Sequence, residues 1–162
     1  MGYWGYLVAA KSDQPLHELP ELSAFGDEYV EVKPLSNGWQ QVWVAGANDN
    51  PLTGAQSLAT VTGHPVLAAL ILDSDCGPVS AATPPGATWS GTLAKSIAVD
   101  SYAMPDDNIP ASAAASTFTE WATSAALLAD QTLITRALAP TATDPEHLFT
   151  LLLQATGIAA VN

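Results

Sequence analysis

The side chains best suited to chemistry stand together in one short segment, the Asp-Ser-Asp-Cys run at Asp73–Cys76. Paired carboxylates can bind a divalent cation, and a cysteine can act as a nucleophile when a base lies beside it. The same run, followed by Gly-Pro, is also typical of a tight turn. Both interpretations stay open from the sequence, and the turn is the one that the composition favours.

The sequence contains none of the metal-binding, phosphate-binding or nucleophile motifs that are recognised by the spacing of their residues. A calcium loop that began at Asp73 would need a glutamate at its twelfth position, where the chain has Pro84. There is no Cys-x-x-Cys, His-x-x-x-His or His-Glu-x-x-His, no glycine-rich phosphate loop and no Gly-x-Ser-x-Gly elbow. The sequence therefore predicts no metal, no cofactor and no catalytic residue.

An enzymatic alternative depends on a base that would reach the Asp73–Cys76 segment. The chain has three histidines, His17, His64 and His147. This alternative uses His64, which lies near the C-terminal end of a predicted helix, where the helix dipole favours an imidazolium. It predicts a concave pocket that gathers Asp73, Asp75 and Cys76, with His64 as an optional fourth member.

The charge balance is the most unusual property of the chain. Sixteen acidic residues stand against four basic ones, and the formal net charge is -12. Such a surface repels nucleic-acid phosphate and anionic lipid, so we expect neither a nucleic-acid partner nor a membrane surface. It favours a basic protein partner, because complementary charge speeds encounter. The alternative is that the charge serves solubility alone.

The acidic residues are densest between Asp13 and Glu31, where apolar residues recur at every third position. The apolar members are Leu16, Leu19, Leu22 and Phe25. Acidic groups around apolar anchors suit an interface with a basic partner, and a solvated loop whose leucines pack onto the sheet is the alternative. The predicted partner-binding residues are this acidic group, a tryptophan beside a predicted turn and the two aspartates discussed above: Asp13, Glu18, Glu21, Asp27, Glu28, Glu31, Trp39, Asp73 and Asp75.

A β-hairpin is the clearest of the elements that must position these residues. Two runs rich in β-branched and aromatic residues, 29–35 and 39–45, flank Asn37-Gly38. Asn-Gly is the preferred two-residue hairpin turn because both positions need positive φ. A turn of this kind predicts that Val32 pairs with Trp43 across the two strands.

The rest of the chain predicts further strands and then helices. Strands are expected at 3–10, 65–72, 79–83 and 88–93, and a helix is expected between the N-cap Asn50 and Gly63. A short helix is expected at 94–102, a long one near a Thr117/Glu120 capping box and a last one from Asp144 to Gly157. This order predicts an α+β fold, with a mainly antiparallel sheet of about five to six strands, one interposed helix and a cover of C-terminal helices. We expect one domain over 1–162, strand-rich in 1–93 and helix-rich in 94–162.

The single cysteine and the N-terminal residues indicate the cellular compartment in which the protein is expected. One cysteine excludes an internal disulfide, and the chain opens without the basic segment of a signal peptide. We therefore expect a cytoplasmic protein.

Two stretches of the sequence carry a resemblance to other proteins. One is Trp4–Ala9 with Pro15-Leu16 and Leu19-Pro20 after it, and the other is Thr62–Ala69 running into Leu72–Cys76. On these residues the chain resembles an uncharacterised family of small acidic proteins from high-GC actinobacteria. The resemblance covers the strand-rich part of the chain and implies no particular activity.

The function predicted from the sequence is a non-enzymatic acidic protein-binding module. An inhibitor of the immunity or antitoxin type, which covers the cleft of a basic effector, is its most concrete form. Two alternatives stay open. One is a small enzyme that uses Asp73, Asp75 and Cys76, and the other is a structural or assembly accessory protein.

Overall fold

The computed structural model of the chain describes residues 2–46 and 51–161, and within them six strands form one antiparallel sheet. The strands are β1 Gly5–Lys11, β2 Glu28–Pro34, β3 Trp39–Ala45, β4 Val66–Ile71, β5 Gly77–Ala82 and β6 Thr88–Leu93. Their order across the sheet is β2-β3-β1-β4-β5-β6. The two edges are therefore β2, which carries part of the acidic segment, and β6.

Helices cover both faces of this sheet. They are α1 Pro51–Thr62, α2 Lys95–Tyr102, α3 Ala111–Ser124, α4 Gln131–Ala137 and α5 Pro145–Ala155. Helix α1 packs on one face together with two short 3₁₀ turns, Leu16–Glu18 and Pro20–Ala24, and the four C-terminal helices pack on the other. The predicted α+β fold, with its mainly antiparallel sheet and its cover of C-terminal helices, is confirmed.

The two central strands explain why both faces need a cover. Successive side chains of a strand point to opposite faces, and β1 is apolar at every position from Tyr6 to Ala10. Tyr6 and Val8 belong to the core beneath α1, whereas Leu7 and Ala9 belong to the core beneath the C-terminal helices. A strand that is apolar on both faces is stable only when each face is buried.

The register of the β2–β3 hairpin differs from the prediction by one residue. Val32 lies opposite Val42, and Glu31 lies opposite Trp43, so the predicted Val32–Trp43 pair is wrong. The loop has three residues instead of two, because Ser36 is held by the C-terminal segment. The Ser36 backbone N–H donates to the Ala159 carbonyl at 2.7 Å, and the Ala159 N–H donates to Ser36 Oγ at 3.0 Å.

This change of register moves the hairpin's polar side chains to the other face of the sheet. Val32 packs against the core beneath α1. Glu31 and Lys33 lie on the face of the C-terminal helices, opposite Trp43 and Gln41.

The ends of the helices confirm two predictions made from the sequence and contradict a third. Asp144 caps α5, since its side chain accepts a hydrogen bond from the His147 N–H at 3.3 Å, and Gly63 has the positive φ of 72° expected after α1. The predicted capping box at Thr117 is wrong, because α3 begins at Ala111 after Pro110. Thr117 instead accepts a hydrogen bond from the indole N–H of Trp89 at 3.0 Å. The predicted N-cap Asn50 lies outside the described residues.

The longest helix of the described ranges is α3, with 14 residues. None of the helices within the described ranges combines the length and the apolar character that a membrane span requires.

Candidate functional site

The Asp73–Cys76 segment is a tight turn that holds the start of the chain. Asp73 and Ser74 both have positive φ, 52° and 55°, and Leu72 pairs with Cys76 across the turn. Asp73 Oδ1 accepts a hydrogen bond from the Gly2 N–H, and Ser74 Oγ accepts one from the Tyr3 N–H, each at 2.7 Å. The turn, which the composition favoured, is the interpretation that the structure supports.

The environment of Cys76 suppresses the ionisation that a nucleophilic thiol requires. The residue is fully buried, and burial, together with the nearby Asp75 carboxylate, raises the pKa of its thiol to about 11. Asp75 also accepts a hydrogen bond from the Tyr102 hydroxyl at 2.7 Å, which raises the pKa of Tyr102 to about 12. At neutral pH the Cys76 side chain is therefore an apolar, protonated thiol.

His64 cannot join this segment, because the two lie at opposite ends of β4. His64 precedes the six-residue strand, and the Asp73–Cys76 turn follows it. A strand of that length spans about 20 Å. His64 is therefore wrong as a member of a site with Asp73, Asp75 and Cys76.

The reactivity of Cys76 tests this description directly. Because only about one thiol in ten thousand is ionised at pH 7 when the pKa is about 11, we expect negligible labelling of the native protein by iodoacetamide. Labelling is expected to become complete in denaturant, and its rate in the native state is expected to rise as the pH approaches 11. Rapid stoichiometric labelling of the folded protein at pH 7 would contradict the assigned environment.

The apolar residues of the acidic segment are part of the core. Leu16, Leu22 and Phe25 are buried beneath α1, and the Phe25 ring contacts the Tyr6 ring edge-on, with centroids 5.2 Å apart. They are therefore not available as interface anchors, and the interpretation of leucines packed onto the sheet is the correct one.

The predicted partner-binding side chains differ in their exposure. Trp39 is wrong as a partner contact, because it is only 5% exposed and packs beneath the C-terminal helices. Asp73 and Glu21 are partly buried. The other predicted acidic residues are exposed at the surface: Asp13, Glu18, Asp27, Glu28, Glu31 and Asp75.

A groove of about 310 Å³ opens between the β2–β3 hairpin and α5. The C-terminal segment closes one end of it, where Leu35 pairs with Ala160. Its polar lining comes from both walls and from the sheet: Glu31, Lys33, Gln41, Asp144, Glu146, His147, Thr150 and Gln154.

The floor of the groove is formed by Gln41 and Trp43 of β3. Trp43 is half-buried, and Tyr3 supports it from behind in an edge-on contact with centroids 4.9 Å apart. Gln41 is only 7% exposed, and within the described ranges no hydrogen bond joins its side-chain amide to another residue. The amide atoms keep solvent exposure in the groove, so they are free to bind a ligand at its floor.

Two carboxylates flank this floor from opposite sides. Glu31 lies directly across the strand pair from Trp43. Glu146, in the first turn of α5, accepts a hydrogen bond from Ser74 Oγ at 2.6 Å. Burial, with a further contribution from the Glu146 charge, raises the pKa of the neighbouring Tyr3 to about 12, so this hydroxyl stays protonated and donates to the Val44 carbonyl at 2.8 Å.

A second cavity of similar volume, about 300 Å³, lies beside α2, and the lysine that lines it is already engaged. Lys95 forms ion pairs with Asp106 and Asp107, and its ammonium also donates to the Ile109 carbonyl at 3.2 Å. The hydrogen bond from Lys95 lowers the pKa of Asp107. This cavity is therefore better explained as the inner side of a loop that is fastened to α2.

Sequence reasoning missed Gln41, Trp43, Glu146 and His147 as site residues. The signal available was a pair of glutamines at the start of a strand that otherwise carries apolar and aromatic residues. That pattern identifies an unusual position but not the helix that faces it, because α5 lies more than a hundred residues further along the chain.

The site thus lies on the sheet of an α+β fold. Comparison of the chain with protein-family models, with curated proteins and with solved structures finds no match. The actinobacterial resemblance described above stays a prediction.

Proposed function

We propose that this protein is a non-enzymatic binding module that recognises a basic protein partner through the groove between β2–β3 and α5. The observation that carries the proposal is Gln41, a largely buried residue whose side-chain amide reaches the groove and makes no hydrogen bond to the described residues, on a floor flanked by the Glu31 and Glu146 carboxylates. A cytoplasmic inhibitor of the immunity or antitoxin type, which covers the cleft of a basic effector, is the particular form that we propose.

The position of the groove supports recognition of a large partner. One wall is the edge strand β2, where Glu28, Glu31 and Lys33 are exposed. An edge strand is open to an incoming chain, and the carboxylates around it draw a basic surface toward the groove. Lys95 pairs with two aspartates, so the positive charge of one of the four basic residues is compensated locally and adds little to the surface potential.

Capture from native lysate tests this proposal. Tagged wild-type protein is compared with a Glu31→Gln/Glu146→Gln variant, which keeps the size of both side chains and removes their charges, replacing one acceptor oxygen of each by an NH2 donor. We expect the wild type to retain a basic protein at about 0.05 M salt and less of it at 0.15 M, because surface charge is screened. We expect the groove variant to retain at most about a tenth as much, a difference of about 1.4 kcal/mol in binding free energy.

The matched control is Asp100→Asn/Glu120→Gln, which removes the same two charges from exposed positions on α2 and α3. Retention by the control equal to that of the wild type supports the groove as the recognition surface. Recovery of the wild-type protein alone at both salt concentrations would count against a basic partner.

A further inference from the structure

We infer that the groove is a receptor for an arginine side chain of the basic partner, with Gln41 and Trp43 as its floor and Glu31 and Glu146 as its walls. This inference rests on the proposed function and specifies the chemistry of that same site.

Gln41 is the first reason for assigning a specific ligand. The residue is more than nine-tenths buried and lines the groove, its amide atoms keep their remaining exposure there, and no hydrogen bond joins them to the described residues. The neighbouring Gln40, on the other face of β3, has every polar atom engaged by backbone groups. Because its amide is open to the groove and not engaged by the protein, Gln41 can accept a hydrogen bond from a ligand at the floor or donate one to it.

The walls determine the charge of that ligand. The charged and titratable groups that face the groove are Glu31 and Lys33 from β2 and Asp144, Glu146 and His147 from α5. Three carboxylates therefore stand against one lysine, and the groove favours a cation. Ser74 holds the Glu146 carboxylate in place at 2.6 Å, so one acceptor is oriented before the ligand arrives.

The choice between arginine and lysine follows from the shape and number of the acceptors. Guanidinium is planar, carries five donors, is weakly hydrated and stacks on aromatic rings, whereas an ammonium is a compact and strongly hydrated charge with three donors. The groove presents two carboxylates, an amide carbonyl and the indole of Trp43 around one space. A donor fork with an aromatic contact fits this arrangement better than a point charge.

Titration of the isotope-labelled full chain, followed by NMR, tests the assignment. The probes are the peptide acetyl-Gly-Arg-Gly-amide, its citrulline analogue, which has the same shape without the charge, and its lysine analogue. We expect the arginine peptide to shift the Gln41 side-chain amide and the Trp43 indole N–H, and to bind at least about tenfold more tightly than either analogue.

Three variants are expected to change the affinity for the arginine peptide in opposite directions. Glu31→Gln and Gln41→Leu are each expected to weaken the arginine peptide by about fivefold or more, whereas Lys33→Gln is expected to strengthen it about two- to fivefold, because it removes the like charge from the groove. Circular dichroism of each variant confirms that it is folded. Shifts spread over the acidic surface, equal for arginine and lysine and unchanged by Gln41→Leu, would overturn the assignment.

Three further outcomes separate this inference from the proposed function. Tighter binding of free L-arginine than of the peptide would overturn the assignment to a partner side chain. Capture of a basic protein that the groove variant retains in full would overturn it together with the groove as the recognition surface, whereas the existence of a basic partner would still be supported. Peptide binding in the groove without any captured protein would support the arginine site and contradict the proposed function.

Discussion

Gln41→Leu is expected to leave the free energy of unfolding unchanged or to raise it by up to about 1 kcal/mol, although it replaces a buried polar residue in the middle of the sheet. The reason is that the Gln41 amide, 7% exposed, has no hydrogen-bond partner among the described residues. Leucine has a similar volume and leaves no polar group unpaired. The same substitution is expected to weaken binding in the groove, so stability and binding move in opposite directions.

Gln40→Leu is the matched control for this prediction. Gln40 accepts a hydrogen bond from the Leu16 N–H at 3.0 Å and donates to the Ser12 and Gln14 carbonyls at 3.2 and 3.0 Å. Its removal leaves these backbone groups without their partner, so we expect a loss of about 2–4 kcal/mol. Urea unfolding of both variants measures the difference. A loss of more than about 1 kcal/mol in Gln41→Leu would show that its amide is already satisfied in the free protein.

Phe25→Ala is expected to lower the free energy of unfolding by about 3–5 kcal/mol. The Phe25 ring is 1% exposed, contacts Tyr6 and lies so close to α1 that a Cβ added to Gly54 would come within 2.6 Å of it. This prediction separates the two interpretations of the acidic segment. Truncation of an interface anchor would weaken binding, whereas truncation of a core residue lowers stability.

Val30→Ala is the control for Phe25→Ala. Val30 lies on β2, within the same acidic segment, and is 65% exposed, so its truncation is expected to change stability by less than about 0.5 kcal/mol. Thermal and urea unfolding of the two variants make the comparison. Similar small losses in both would contradict the placement of Phe25 in the core.

The fold could be predicted from the sequence because its signals are local. Gly63, with its positive φ, ends α1, and Asp144 with Pro145 begins α5, as the cap residues indicate. The uninterrupted apolar run in β4 indicates a strand that is buried on both faces. Each of these features depends on residues within a few positions of one another, which is the range over which propensity and capping act.

The candidate site could not be predicted because it depends on contacts between distant residues. Ser36 and Ala159, 123 positions apart, exchange two hydrogen bonds that draw Ser36 into the hairpin loop and shift the register. Only that register places Glu31 opposite Trp43, and only the packing of α5 brings Glu146 to the same space. An Asn-Gly pair favours a two-residue turn, but here a tertiary contact outweighs that preference.

Hydrogen exchange of the complex with the captured basic protein tests most directly whether the groove between β2–β3 and α5 is the recognition surface. We predict that backbone amides in Glu28–Pro34 and in the first turns of α5 exchange at least about tenfold more slowly in the complex, while those of β6 at the opposite edge are unchanged. Protection confined to β6 or α1, with the β2 edge and α5 exchanging as in the free protein, would contradict this account.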